Sequence, residues 1–388
     1  MLTFSLKSKI EHYHHNQLMR SRWIIEDRQA QYLTVDQQNG VNFSSNDYLG
    51  LTTHPIVKQA FIDGVQQYGV GSGASAMISG YFKPHAELEE KFAEFVQRPR
   101  ALLFNSGYHA NLGILQTLGS RTIDVVADKY CHASLLDGIQ LSRAKHNRYR
   151  HGDVRHAAQL LSRSHYAKLL VTESVFSMEG SIAPIAELSK LSKKYHGILL
   201  VDDAHGMGVI GDQGKGICYH QQNNVDMIDC LVTPLGKAFG SMGALVSGKH
   251  ELIEAILQFA RTYMYSTALP PAMVVATLAA LKIIQQENWR REKLQHLIQY
   301  FIQQASLRQL RLVAHDLTPI KTILVGDNRK TLMLQEKLKQ RGFFISCIRP
   351  PTVPKGSTRI RISLTCEHSE ENIQQLLDLI RDHLPHGQ

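Results

Sequence analysis

Two acids, a histidine and a lysine stand where apolar runs of this chain end, and together they have the makings of chemistry on a charged aromatic ligand. The stretch ILLVDDAHG (198–206) is an apolar strand that closes in Asp202, with His205 in the turn behind it. In open α/β sheets, ligands bind at the carboxyl ends of the strands. A carboxylate buried there needs a cation or hydrogen-bond donors, and a protonated pyridine nitrogen is one such partner. On this stretch alone, a helix cap by Asp202 or Asp203 explains the acids equally well.

In VTPLGKAFGSMG (232–243), Lys237 follows another apolar run and sits among Gly236, Ala238, Gly240 and Gly243. Small neighbours leave room for a bulky group held at the lysine nitrogen. Desolvation lowers a lysine pKa and makes a Schiff base feasible. An exposed loop lysine is the plainer alternative. A nucleotide P-loop is excluded, because Ala238 follows the lysine and no GxxxxGK[ST] occurs.

Four further stretches belong to the same set. NSGYHAN (105–111) follows the apolar ALLF, and a strand running through Ser-Gly into a helix offers backbone N–H groups to a phosphate. Gly107 allows close backbone approach there. His132 in KYCHASLLDG and Ser177 in ESVFSMEG each follow a predicted strand, and either alone reads as a structural residue. GVGSGASAMISGY (69–81) lacks the third glycine of a dinucleotide fingerprint and follows a helix, so a flexible active-site loop fits it better.

The elements that must position these residues alternate between strand and helix. Strands are predicted at 101–104, 125–128, 168–173, 198–202, 230–233 and 244–247, with amphipathic stretches such as 185–195 between them. That alternation predicts an α/β fold: a large domain with a mostly parallel sheet covered by helices on both faces. A helix over 272–286, entered through Pro270 and Pro271, reads as a hinge. Beyond it, helix 294–304, strand 320–325, helix 332–341, strands 343–348 and 359–364 and a helix over 370–383 predict a small C-terminal α+β domain. The expected division is 1–45 (N-terminal helix and short strands), 46–270 (large cofactor-binding domain) and 271–388.

Composition narrows the remaining classes. The 388 residues are 43% hydrophobic and 20% charged, with no apolar run of membrane-spanning length and no secretory signal pattern. A cytoplasmic protein is expected. The five cysteines form no CxxC pair, so neither a disulfide framework nor a zinc site is predicted, and no metal is expected. The net charge of +9 suits an acidic carrier or nucleic acid, but no basic block concentrates it, and a general surface bias explains it better.

Taken in order, the motifs resemble the fold-type-I pyridoxal-phosphate enzymes, and among them the α-oxoamine synthases. FSSNDYLGL (43–51), GSGASAMISGY (71–81), SGYHAN, HASLLDG, VTESVFSMEG, VDDAHGMGVIG, YSTALPP (265–271) and IRPPTVPKGSTRIRISLT (348–365) carry the likeness over nearly the whole chain. The resemblance implies pyridoxal 5'-phosphate held covalently by Lys237, with Asp202 at the pyridine nitrogen and His132 stacked on the ring. It puts His205 at the phenolic oxygen with Ser177 close by, and Gly107 and Tyr108 at the phosphate. It implies that Asn46 and Arg361 hold an amino-acid carboxylate, and that Arg20, Arg349 and Thr352 meet the acyl substrate. The implied reaction joins L-alanine to a pimeloyl thioester, carried by acyl carrier protein or coenzyme A, with loss of CO₂ in biotin synthesis. The IRPPTVP block favours this over the glycine-using 2-amino-3-ketobutyrate ligase. A homodimer with a shared active site is implied, Ser266 and Thr267 reaching the partner's phosphate, with neither nucleic acid nor membrane as a partner.

Two other classes are weaker. VDDAHG loosely resembles the DEAH box of nucleic-acid-dependent ATPases, but the P-loop is missing. A non-catalytic relative, like the regulatory subunit of serine palmitoyltransferase, need not keep the lysine that is present here. One position departs from the family. Three residues before the lysine, where a threonine usually binds the phosphate, stands Pro234, with no hydroxyl and no N–H. The expectation is that Thr233, one residue earlier, reaches the phosphate instead.

Overall fold

Seven strands between residues 100 and 248 form one sheet in the computed structural model, which describes residues 2–384. Their order is Arg100–Phe104, Ala244–Gly248, Cys230–Pro234, Ile198–Asp202, Ala167–Glu173, Ile123–Asp128 and Lys145–Tyr149. Ala244–Gly248 runs antiparallel to both its neighbours, and every other neighbouring pair is parallel. Parallel pairs require crossovers, and Gly107–Leu118, Ala133–Ser142, Val154–Ser162 and Ile185–Lys194 supply helices for them. The central strands are apolar on both faces because both faces are covered. Phe104, Ile114, Val125, Leu135, Val171 and Leu200 belong to one core cluster between sheet and helices. Each such side chain contributes about 1.5–3 kcal/mol on full burial.

Six of the seven strands coincide with the expected ones to within two residues. The seventh, Lys145–Tyr149, was not expected: its sequence KHNRY buries only the tyrosine, and it pairs with a single neighbour at the edge. An edge strand exposed to solvent has no apolar pattern to announce it.

Contacts divide the chain into two units: residues 49–177 and 181–292 form one, and 1–48, 178–180 and 293–388 form the other. This differs from the expected division at two places. Pro271–Gln286 is no hinge. It buries nine residues and lies against Pro55–Tyr68, where a Cβ on Gly64 would come within 2.7 Å of Ala272 Cα. Arg290 then donates to the Leu49 carbonyl at 2.9 Å, so the first unit runs on to residue 292.

The N-terminal segment is not a separate domain either. Ile25–Gln29, Tyr32–Val35 and Gln38–Asn42 build an antiparallel ribbon, and Phe343–Phe344 adds to it in parallel. The strand expected over 343–348 is thus two strands. Ser346–Ile348 joins Arg359–Ser363 and Ile320–Leu324 in another sheet, with buried Ile345 at the change. Asn328–Gln340 and Glu370–His383 complete this unit, and Asp327 and Ser369 cap their first turns as acceptors.

Candidate active site

In the sheet-bearing unit, the expected cofactor residues gather around the strand ends. Ser106 caps Gly107–Leu118, its hydroxyl accepting the His109 N–H at 3.2 Å, which sets the first turn of that helix directly behind the Arg100–Phe104 strand. A helix start of this kind favours an anion. Gly107 is needed for space: a Cβ there would stand 2.6 Å from Pro234 Cγ. Tyr108 is partly exposed, and its hydroxyl bonds to Asp137.

Asp202 is buried at the end of its strand. One carboxylate oxygen accepts the Ala204 N–H at 3.0 Å, and the other accepts Asn111 Nδ2 at 2.7 Å. The helix-cap alternative fails, because turns rather than an α-helix follow Asp202 and Asp203. Among the described residues no cation pairs with Asp202 in a salt bridge. A buried carboxylate held by two neutral donors suits a protonated pyridine nitrogen.

Asn111 also donates to Ser134 Oγ at 2.9 Å, and that hydroxyl lies 2.8 Å from His132 Nδ1. His132 caps Ala133–Ser142 by accepting the Ser134 N–H at the same Nδ1, which leaves the proton on Nε2. Its ring has an exposed side, yet partial desolvation lowers its pKa, opposed by Asp202 and aided by Lys237. Asn111 and Ser134 were not expected in the site. Asn111 lies one helical turn beyond Gly107, and that spacing was the only signal for it.

Lys237 is half-buried in a tight loop, where its carbonyl accepts the Gly240 N–H at 2.8 Å. Gly240, at φ +60, has Thr52 N at 2.5 Å from where a Cβ would be, so the loop closes only with glycine there. His205 is buried three residues after Asp202. Ser177 is half-buried in a hairpin-like turn tied by Phe176 N–H to the Ser181 carbonyl and Ala183 N–H to the Ser174 carbonyl. Ser266 is half-buried and Thr267 exposed, and the Thr267 carbonyl accepts Asn105 Nδ2 at 2.5 Å beside the SGY turn.

The Thr233 expectation meets a physical objection. Pro234 faces Gly107, and successive strand side chains point to opposite faces, so Thr233 faces away. Its hydroxyl is fully buried with no hydrogen-bond partner among the described residues. The geometry argues that the usual contact is missing. Thr233→Val should therefore leave cofactor affinity unchanged and, by removing an unsatisfied hydroxyl, stabilise the fold by about 1–3 kcal/mol. Cofactor titration and denaturant unfolding check both halves.

The other unit holds the expected substrate residues in two groups. Arg361, buried in the Arg359–Ser363 strand, donates to Asn46 Oδ1 at 3.1 Å and to Ser363 Oγ at 2.8 Å. The Tyr48 hydroxyl donates to the same Asn46 oxygen at 3.2 Å; burial pushes this phenol up to about 12, against the pull of Arg361. Two strand positions earlier, Arg359 pairs with buried Glu179 at 3.0 Å. In the second group, exposed Arg20 donates to Thr352 Oγ1 at 2.9 Å, and Arg349 donates to the Gln17 and Met19 carbonyls. Burial lowers the Arg349 pKa, with the Arg20 charge adding to it. Arg20, Arg349 and Thr352 are thus brought together, as are Asn46 and Arg361. No group of His, Cys, Asp and Glu able to hold a metal occurs among the described residues.

Comparison with known proteins gives the family. The family model for aminotransferase class I and II matches residues 38–380. An 8-amino-7-oxononanoate synthase of Nitrosococcus oceani is 46% identical over 93% of this chain and 96% of its own. The solved 8-amino-7-oxononanoate synthase of Francisella tularensis superposes with a TM-score of 0.79 at 36% identity, covering 88% of this chain and 97% of that one. A serine palmitoyltransferase from S. paucimobilis with PLP bound as an aldimine of myriocin gives a TM-score of 0.92 at 28% identity, over 98% and 96%. The α/β fold of the pyridoxal-phosphate transferases expected from the motifs is therefore the fold found, and the chain belongs to the aminotransferase class I and II family.

Proposed function

We propose that this enzyme condenses L-alanine with a pimeloyl thioester, releasing CO₂ and forming 8-amino-7-oxononanoate for biotin biosynthesis. The observation that carries the reading is the near-full-length likeness to 8-amino-7-oxononanoate synthases. The buried Asp202, its Asn111 support and Lys237 in its glycine-closed loop support the cofactor it requires.

When bound, pyridoxal phosphate supplies an electron sink for negative charge at the amino-acid α-carbon. Lys237 holds the cofactor covalently, and its Nζ then takes and returns the α-proton. Asp202 keeps a negative charge beside the ring nitrogen, in a pocket where burial strengthens the pairing. His132 covers the ring face, while His205 serves the phenolic oxygen with Ser177 close by. The Gly107 and Tyr108 backbone holds the phosphate. Arg361 and Asn46 hold the alanine carboxylate, with bidentate geometry open to the guanidinium. Arg20, Arg349 and Thr352 receive the acyl chain. The alanine α-carbon attacks the thioester carbonyl, the thiol leaves, and the carboxyl group departs as CO₂.

The acyl donor arrives on acyl carrier protein or coenzyme A. No helix among the described residues is long and apolar enough to cross a membrane. The enzyme works as a homodimer, Ser266 and Thr267 reaching the phosphate bound by the partner subunit. Support comes from the exposed Val70, Ile78 and Tyr265 in the two segments that the Ser75–Thr267 bridge joins.

Product analysis with competing substrates tests the assignment. L-alanine should be preferred over glycine, and pimeloyl over acetyl or succinyl thioesters. Dominant 2-amino-3-ketobutyrate would move the enzyme to the neighbouring ligase. Arg361→Lys removes the planar fork, and the KM for L-alanine should rise about 10- to 100-fold, the worth of one hydrogen bond to a charged group. Steady-state kinetics in alanine reads it directly.

A further inference from the structure

Asp203 follows Asp202 immediately but faces a different environment. It is fully buried, and its Oδ2 accepts the Ile217 N–H at 2.9 Å from fourteen residues further along the chain. Its own N–H donates to the Val232 carbonyl at 2.8 Å, and its carbonyl accepts the Met207 N–H at 3.2 Å. Two glycines leave space for the carboxyl group. A Cβ on Gly206 would stand 2.2 Å from Oδ1, and one on Gly216 would stand 2.0 Å from Oδ2. The same two stretches are tied again by Gly208 N–H to the Gly214 carbonyl at 2.7 Å and Gly216 N–H to the Ile210 carbonyl at 2.9 Å.

A single side chain thus packs closely against the 204–206 turn through Oδ1 and hydrogen-bonds the 216–217 loop through Oδ2. That turn carries His205. A carboxyl group with no cation paired to it in a salt bridge among the described residues is a costly way to fill such a space. Burial pushes it up to about 7, Asp202 adds to the rise, and the Ile217 N–H opposes it. A plain packing role would be served by an apolar side chain at less cost.

We propose that Asp203 is a positioning residue for the reaction: it fixes the 204–206 turn, and with it the place of the His205 imidazole. The proposal rests on the reading above, in which His205 serves the phenolic oxygen of the cofactor. If it holds, disturbing Asp203 changes the proton affinity of that oxygen without touching substrate binding.

The test uses the holoenzyme. Asp203→Asn keeps the size but turns an acceptor into a donor on one of the two sides. It should lower kcat about tenfold, the effect of a small loss of alignment. The KM for L-alanine should stay within about twofold, since no group that binds it has changed. The pH midpoint of the cofactor's visible absorbance should shift by about half a unit or more, because its hydrogen-bonding partner has moved.

Gly206→Ala provides a second variant that keeps the carboxyl group and displaces it sterically, and it should shift the same midpoint. In combination with Asp203→Ala its effect should shrink, as expected for two groups that share one contact. If Asp203→Asn does not fold, Gly206→Ala carries the same readings. An unmoved absorbance midpoint with unchanged kcat would overturn the proposal, as would a loss confined to thermal stability. A wild-type holoprotein that shows the absorbance but makes no product from alanine and pimeloyl thioester would instead sink the functional reading, and the absorbance titration would still judge Asp203.

Discussion

Lys237→Ala is expected to abolish product formation, a loss of at least about 10³-fold, because one nitrogen both anchors the cofactor and moves the α-proton. The wild-type holoprotein should be yellow, and borohydride should fix the cofactor to Lys237. In the variant the colour should come from cofactor held without a covalent bond, and borohydride should fix none at this position. Fold stability should change little, since the side chain is only half-buried and its loop closes through the Lys237 and Gly240 backbone. Mass spectrometry of the reduced protein and a product assay with L-alanine check both statements. Unchanged activity would overturn the mechanism.

Asp202→Asn should fold and bind cofactor but lose about 10²- to 10³-fold in kcat, the scale seen when one preorganised electrostatic group is removed from a site. The substitution keeps the shape and an acceptor for the Ala204 N–H. What it removes is the negative charge, in a place where poor solvation makes charge pairing strong. The cofactor spectrum should then lack the bands that L-alanine produces in the wild type. Near-normal turnover would reduce Asp202 to a turn-forming residue.

The strand ends were legible because parallel strands buried on both faces read as short apolar runs, and Asp202 and Lys237 interrupt or follow such runs. The support behind them was less visible. Asn111 stands inside the quoted SGYHAN motif, but nothing local says that its amide meets an acid 91 positions later. Arg349 was legible as a basic residue in the IRPPTVP block, whereas its hold on the Gln17 and Met19 carbonyls depends on a contact across more than 300 residues. At Pro234 the sequence showed the missing hydroxyl, but the alternation of the strand decides that Thr233 does not replace it. The two-unit division was hidden for the same reason. Neither Pro270–Pro271 nor the 25–42 ribbon carries a local sign of what it packs against.

The short Phe343–Phe344 strand sets an order of events during synthesis. Its partner Gln38–Asn42 leaves the ribosome about 300 residues earlier and has to remain without that neighbour until nearly the whole chain has been made. Residues 49–292 are complete well before then, and chains translated from the N-terminus fold domain by domain as they emerge. The N-terminal ribbon is thus an early-made part that is finished late. A chain stalled or truncated before residue 343 would display the vacant edge of Gln38–Asn42, a row of backbone donors and acceptors open to any passing strand.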